Sequence, residues 1–273
     1  MSRQALWDSI LQKGTCLCVG LDTVRDLLPP SFRKEKHGLA RFNRAIIEST
    51  ADLVFAYKVN TAFYEAEGMA GLEAMEETLS CIPQDCFLIV DGKRSDVGHS
   101  AEKYAEAYFS TFAVDGLTVS PFLGRDGLEP FLARKDKWTI ILGASSNPGF
   151  EDFQALKLED GNTLFEEVMR KTSTWGSPDH IMYVVGGTRP GVLDRLRGLF
   201  PDHFFLVPGL GEQGGSLEEV CQVGFRGSLS RKGGLILNSS RSILYADSRE
   251  DQFARAARKQ VLRNIEEIKP FLT

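Results

Sequence analysis

The segment Phe87-Leu88-Ile89-Val90-Asp91-Gly92-Lys93-Arg94-Ser95-Asp96 runs an apolar strand straight into two carboxylates and a lysine. On a strand, residues two apart face the same side, so Asp91 and Lys93 are expected to share one face at the strand end, with Asp96 just beyond it. Desolvating several charges on one strand end costs free energy comparable with the net stability of a fold. A solvated loop that happens to carry charges is the plain alternative; the rest of the chain favours an active site. Lys58, near the end of an earlier apolar run, is expected beside Asp91, completing an alternating array of Lys58, Asp91, Lys93 and Asp96. Alternation pairs each charge when no ligand is present, whereas an anionic substrate placed among them meets both attraction and repulsion. Such an array suits chemistry that expels carboxylate charge.

A second constellation lies further on. Gly209, Gly211, Gly214 and Gly215 allow backbone to approach an anion closely, Gln213 offers an amide donor, and Arg241 offers a guanidinium fork. Glycines also serve ordinary tight turns, but their pairing with Arg241 reads as a phosphate grip, and the ligand as a phosphate monoester.

These residues need a scaffold that brings strand ends together. Apolar, β-branched runs recur at 15–20, 54–59, 87–91, 116–120, 139–144, 180–185, 203–207 and 235–238. Between most of them lie amphipathic stretches of helical length, at 39–53, 71–79, 101–112, 164–174, 191–199 and 249–269. Eight strands alternating with helices in roughly 250 residues is the arithmetic of an α/β (β/α)8 barrel. No linker-like stretch divides the chain, so residues 1–273 are read as a single domain. A doubly wound open sheet would call for a Gly-x-Gly-x-x-Gly turn after an early strand, and Val19-Gly20-Leu21-Asp22 supplies none. In such barrels chemistry gathers where strands end at their C-terminal rim, and the loops after the last two strands commonly hold phosphate. The charged array and the glycine-arginine constellation fall at those positions.

Composition narrows the field. A chain of 273 residues, 42% hydrophobic and 25% charged, has ordinary globular character. Its apolar runs fall short of the about 20 residues needed to span a bilayer and its start lacks a signal-peptide core, which predicts a soluble cytoplasmic protein without membrane association. A net charge of -5 argues against a nucleic-acid binder. The five cysteines, Cys16, Cys18, Cys81, Cys86 and Cys221, are expected as reduced thiols, with no metal site. His37, His99, His180 and His203 stand in no recognisable nucleophile elbow, and His99 is expected at a helix start or on the surface.

Together Asp91-x-Lys93-x-x-Asp96, Asp22, Lys58, Pro208-Gly209-Leu210-Gly211-x-Gln213-Gly214-Gly215 and Ser240-Arg241-Ser242-Ile243 closely resemble orotidine 5'-monophosphate decarboxylase over nearly the whole chain. Residues 57–65 and Ser145-Ser146-Asn147-Pro148-Gly149 resemble its longer bacterial branch, type 2. The resemblance implies cofactor-free conversion of orotidine 5'-monophosphate (OMP) to uridine 5'-monophosphate (UMP) and carbon dioxide, in de novo pyrimidine biosynthesis. It implies Lys93 as proton donor, Asp91 against the substrate carboxylate, Lys58 and Asp96 completing the network, and Asp22 with Lys58 on ribose hydroxyls. Ser146 would read the pyrimidine edge, and Gln213 with Arg241 would hold the phosphate. It also implies a homodimer in which Asp96 serves the partner's site. Two departures stand out: the type 2 pattern usually has Pro at the position of Val59, and many relatives have Gly at that of Ser240. The first leaves the backbone before Asn60 less constrained, and the second bears on phosphate contact. Two rival readings are a magnesium-dependent sugar-phosphate decarboxylase of the same superfamily and a catalytically silent phosphate-binding barrel.

Overall fold

A computed structural model describes residues 1–210, 216–225 and 233–272. Its strands are β1 (Leu17–Gly20), β2 (Ala56–Asn60), β3 (Phe87–Arg94), β4 (Gly116–Val119), β5 (Trp138–Ala144), β6 (Ile181–Val185), β7 (Phe204–Val207) and β8 (Leu235–Ser239). They follow one another in chain order around a closed barrel, and every pairing resolved between neighbours is parallel. Helices separate them, so the (β/α)8 architecture expected from alternation is the one observed. Strands covered on both faces read as near-continuous apolar runs; β1, β4, β6 and β7 are buried along their whole length.

The chain forms two compact units, one of residues 9–92 and 238–273, the other of residues 1–8 and 93–237. In the first, the helix Gly38–Thr50 turns Leu39, Phe42, Ile46 and Ile47 inward at helical spacing. The helix Phe253–Ile268 does the same with Phe253, Ala257, Val261 and Ile268. Phe42 and Phe253 stack with centroids 4.8 Å apart, and Phe32 meets Phe253 edge-on at 5.5 Å. Within the second, Phe204 of β7 lies 5.6 Å from Trp7 and 6.2 Å from Trp138. A capping box opens the helix Leu164–Ser173: Glu166 accepts from the Thr163 backbone at 3.0 Å and from its hydroxyl at 2.9 Å.

The expected strand limits agree with the observed ones to within two residues except at β3, which continues three residues past Asp91 to Arg94. Lys93, near that end, has φ 44°, a left-handed conformation that costs a side-chain-bearing residue free energy. Strand alternation therefore holds as far as Asp91 and breaks at Lys93. Among the described residues no helix is long and apolar enough to cross a membrane. All five cysteines are free thiols, four of them buried.

Candidate active site

Asp22, Lys58 and Asp91 are brought together in the first unit. Gly20 of β1 pairs with Lys58 of β2, and Asn60 of β2 with Asp91 of β3, so the parallel register sets these strand ends side by side. Lys58 Nζ lies 3.1 Å from Asp22 Oδ1 and 3.4 Å from Asp91 Oδ2. Its side chain is 3% exposed, against 16% for Asp22 and 14% for Asp91. Burial by itself would lower the lysine pKa; the charges of Asp22 and then Asp91 outweigh it and raise the pKa above the ordinary range. Lys58 is thus a cation across physiological pH, set between the side chains of Asp22 and Asp91.

The same cluster includes a residue whose side-chain role the sequence does not signal. Beyond the backbone contact with phosphate that the sequence suggests for Ser240, its hydroxyl donates to Asp22 Oδ2 at 2.7 Å. Nothing in residue spacing signals that contact, which joins positions 218 apart in sequence. Arg241 follows directly, exposed at the first position of the short helix Arg241–Leu244.

Lys93, Asp96 and Ser146 belong to the second unit. Lys93 is exposed, and its backbone N–H donates to the buried Thr118 Oγ1 of β4 at 2.9 Å, one of the contacts that hold its left-handed turn. Ser120 N–H donates to the Arg94 carbonyl at 3.0 Å, carrying the link between these chain segments past the strand ends. Asp96 is half-buried and accepts from the Val97 N–H at 2.8 Å. Ser146 is half-buried beyond β5, its carbonyl accepting from Thr188 Oγ1 at 3.3 Å. A Cβ on Gly186 would press on Ser146 backbone at 2.8 Å, so this approach requires glycine. Arg189, not singled out from sequence, donates to the Ser145 carbonyl at 3.1 Å and lies 4.4 Å over the Phe150 ring, bracing the loop that carries Ser146. Gln213, with Gly211, Gly214 and Gly215, lies outside the described residues. Among the described residues no group of three or more His, Cys, Asp or Glu side chains is placed to hold a metal ion. His99 is an exposed residue paired with Glu102 at 3.2 Å, the surface role expected for it.

Comparison with known proteins identifies the family. The model of the Orotidine 5'-phosphate decarboxylase / HUMPS family matches residues 15–256. An orotidine 5'-phosphate decarboxylase of Phocaeicola vulgatus is 44% identical over 260 residues, 94% of each chain. One of Flavobacterium johnsoniae is 42% identical over 266 residues, covering 96% of this chain and 95% of its own. Among solved structures, Leishmania donovani OMP decarboxylase superposes with a TM-score of 0.81 at 31% identity, covering 98% of this chain and 99% of that one. The chain spans 56% of the length of Leishmania donovani UMP synthase, which matches with a TM-score of 0.81 at 32% identity. On sequence and fold alike, the chain belongs to the orotidine 5'-phosphate decarboxylase family.

Proposed function

We propose that this chain decarboxylates OMP to UMP and carbon dioxide without a cofactor, as one catalytic domain of the type 2 branch acting in the cytoplasm. The observation that carries the reading is the buried Lys58 between Asp22 and Asp91, with Lys93 two residues beyond Asp91 on the same strand. Lys58 holds the Asp91 side chain in place, and Asp91 is positioned against the substrate carboxylate. When the bond to that carboxylate breaks, its electron pair stays on the pyrimidine carbon, and the Lys93 ammonium delivers a proton there. Lys93 then regains a proton from water. Asp22 and Lys58 hold ribose hydroxyls, Ser146 reads the pyrimidine edge, and Gln213 with Arg241 grips the phosphate. Binding energy from these remote contacts orders the reacting groups, because barrier reductions of about 8–23 kcal/mol exceed what one ion pair supplies.

The working unit is a homodimer in which Asp96 enters the partner's site. Supporting this, Phe122 is 93% exposed, Val97 57% and Leu123 45%. Backbone of Asp96 and the Leu123 side chain each lie 3.1 Å from a Cβ built on Gly127, which makes these segments neighbours. An apolar patch of this kind beside a site residue suits burial against a second copy.

The test uses two inactive homodimers, Lys93→Ala and Asp96→Ala, unfolded and refolded as an equimolar mixture with chelator present. Random exchange makes about half of the dimers mixed, each with one intact site, so roughly a quarter of wild-type OMP turnover returns. No recovery in verified heterodimers would place Asp96 in its own chain's site. Absence of wild-type OMP turnover, with chelator-sensitive decarboxylation of a sugar phosphate, would favour the metal-dependent sugar-phosphate decarboxylase reading.

A further inference from the structure

Gly20 ends β1 two residues before Asp22, and the space above it is taken. A Cβ at Gly20 would collide with Ser240 Oγ and lie 3.0 Å from Asn238 Oδ1. Into that cradle Ser240 brings its hydroxyl, which donates to Asp22 Oδ2 at 2.7 Å and accepts from Asn238 Nδ2 at 3.3 Å. A hydroxyl has one proton; with Asn238 donating to its oxygen and Asp22 receiving its proton, the group has one orientation. Asp22 Oδ1, meanwhile, is claimed by Lys58 at 3.1 Å. The two oxygens of one carboxylate are therefore fixed by donors from two different strand ends, Lys58 on β2 and the residue that follows β8. With both anchors made, the carboxylate plane is set, and the remaining lone pairs of Asp22 are the ones presented to a ligand.

We propose that Ser240 is a positioning residue that sets the Asp22 carboxylate for ribose recognition and, through its peptide bond to Arg241, ties that recognition to the phosphate grip. This rests on the reading of Asp22 as a ribose-binding group. Ser240 has no role at the reacting carbon, so its loss acts on ligand discrimination and KM more than on the chemical step. Charge-assisted hydrogen bonds to a half-buried carboxylate are strong enough for their loss to be read in affinity.

The experiment measures binding of UMP and of its 2'-deoxy and 3'-deoxy analogues to the full-length enzyme by titration calorimetry, with steady-state OMP kinetics alongside. For Ser240→Ala, KM should rise about tenfold while kcat falls by no more than a few-fold, because a positioned carboxylate is lost and the reacting groups are not. The preference of the wild type for UMP over at least one deoxy analogue should collapse toward unity in the same variant. A general loosening of the fold weakens all three ligands together and leaves that ratio in place. Gly20→Ala, which drives the Ser240 hydroxyl off Asp22 from the other side, should reproduce the collapse. Asp22→Asn separates the positioning role of Ser240 from the ribose role of Asp22. If Asp22→Asn removes the discrimination and neither Ser240→Ala nor Gly20→Ala does, the positioning role is overturned. If Asp22→Asn itself leaves the ratio unchanged, the ribose reading of Asp22 falls, and the proposal with it.

Discussion

Lys58 and Arg197 each carry a positive charge into the interior, one near the end of β2 and one on the helix Pro190–Leu199 before β7. Lys58 meets carboxylates on two sides, and their charges outweigh the burial that would otherwise lower its pKa. Arg197 has no carboxylate within ion-pair distance among the described residues. Its guanidinium donates to the carbonyls of Gly224 at 2.8 Å, His203 at 2.8 Å, Gly234 at 3.0 Å and Phe200 at 3.3 Å, and lies 4.0 Å over the Phe205 ring. Burial pulls its pKa down to about 9, with the charge of Asp202 opposing. The difference lies in what each arrangement leaves available. Carbonyls at the ends of two helices and the starts of two strands use four of the five guanidinium N–H groups, which ties backbone together and leaves little to offer a ligand. Two carboxylates around one ammonium hold opposed charges at a strand rim, where a ligand can exchange with them. The first is a staple and the second a candidate site, although both are buried cations.

Substitutions test that contrast. Lys58→Met removes the charge between Asp22 and Asp91, and kcat/KM for OMP should fall by at least about a thousandfold, on the scale of losing one preorganised electrostatic contact. A loss below tenfold in steady-state assays would mean that Lys58 is a staple too. Arg197→Met leaves four carbonyls without their donor and should cost about 3–5 kcal/mol in denaturant unfolding, with kcat of the folded enzyme within about threefold of wild type. A large fall in kcat without loss of stability would erase the distinction.

His203 sharpens the comparison at smaller scale. Its carbonyl serves Arg197, while its ring packs 5.2 Å from Tyr183 and 6.0 Å from Phe200, with neither ring nitrogen hydrogen-bonded among the described residues. Burial lowers its pKa to about 4 from the ordinary 6.5. Between those values the unfolded chain binds a proton that the folded one does not, so stability is lost as pH falls from about 6.5 to about 4. The whole effect is about 3 kcal/mol. His203→Phe keeps the ring contacts and should flatten that part of the stability profile measured by denaturant titration at several pH values. An unchanged acid branch would show that the ring is protonated in the fold or solvated.

The apolar alternation that placed β1 to β8 was readable because buried parallel strands need continuous hydrophobic runs and their helices need one apolar face. Lys58, Asp91 and Arg241 stand out in the sequence because ionisable groups at the C-terminal ends of such runs have few structural reasons to be there, whereas Asp22 is marked only by the family resemblance. Lys93 shows the limit. Its type and spacing marked it, but alternation predicted its backbone wrongly, since a φ of 44° depends on Thr118 and on the chain turning out of the strand. Ser240 shows the same limit from the other direction. A serine before an arginine looks like part of a phosphate loop, and only the empty face of Gly20 turns its hydroxyl toward Asp22. Arg197 was not flagged, because an arginine on an amphipathic helix reads as solvated until the helix ends that surround it are in place.

What the sequence determined by itself is therefore local and periodic: the order of strands and helices, and the chemical groups at the strand ends, because burial and backbone periodicity act over a few residues at a time. The tertiary structure alone decided which groups share partners. Whether a buried cation meets two carboxylates or four carbonyls depends on segments far apart in sequence arriving at one place, and the free energy of a charge in a protein interior is set by those neighbours rather than by its own side chain.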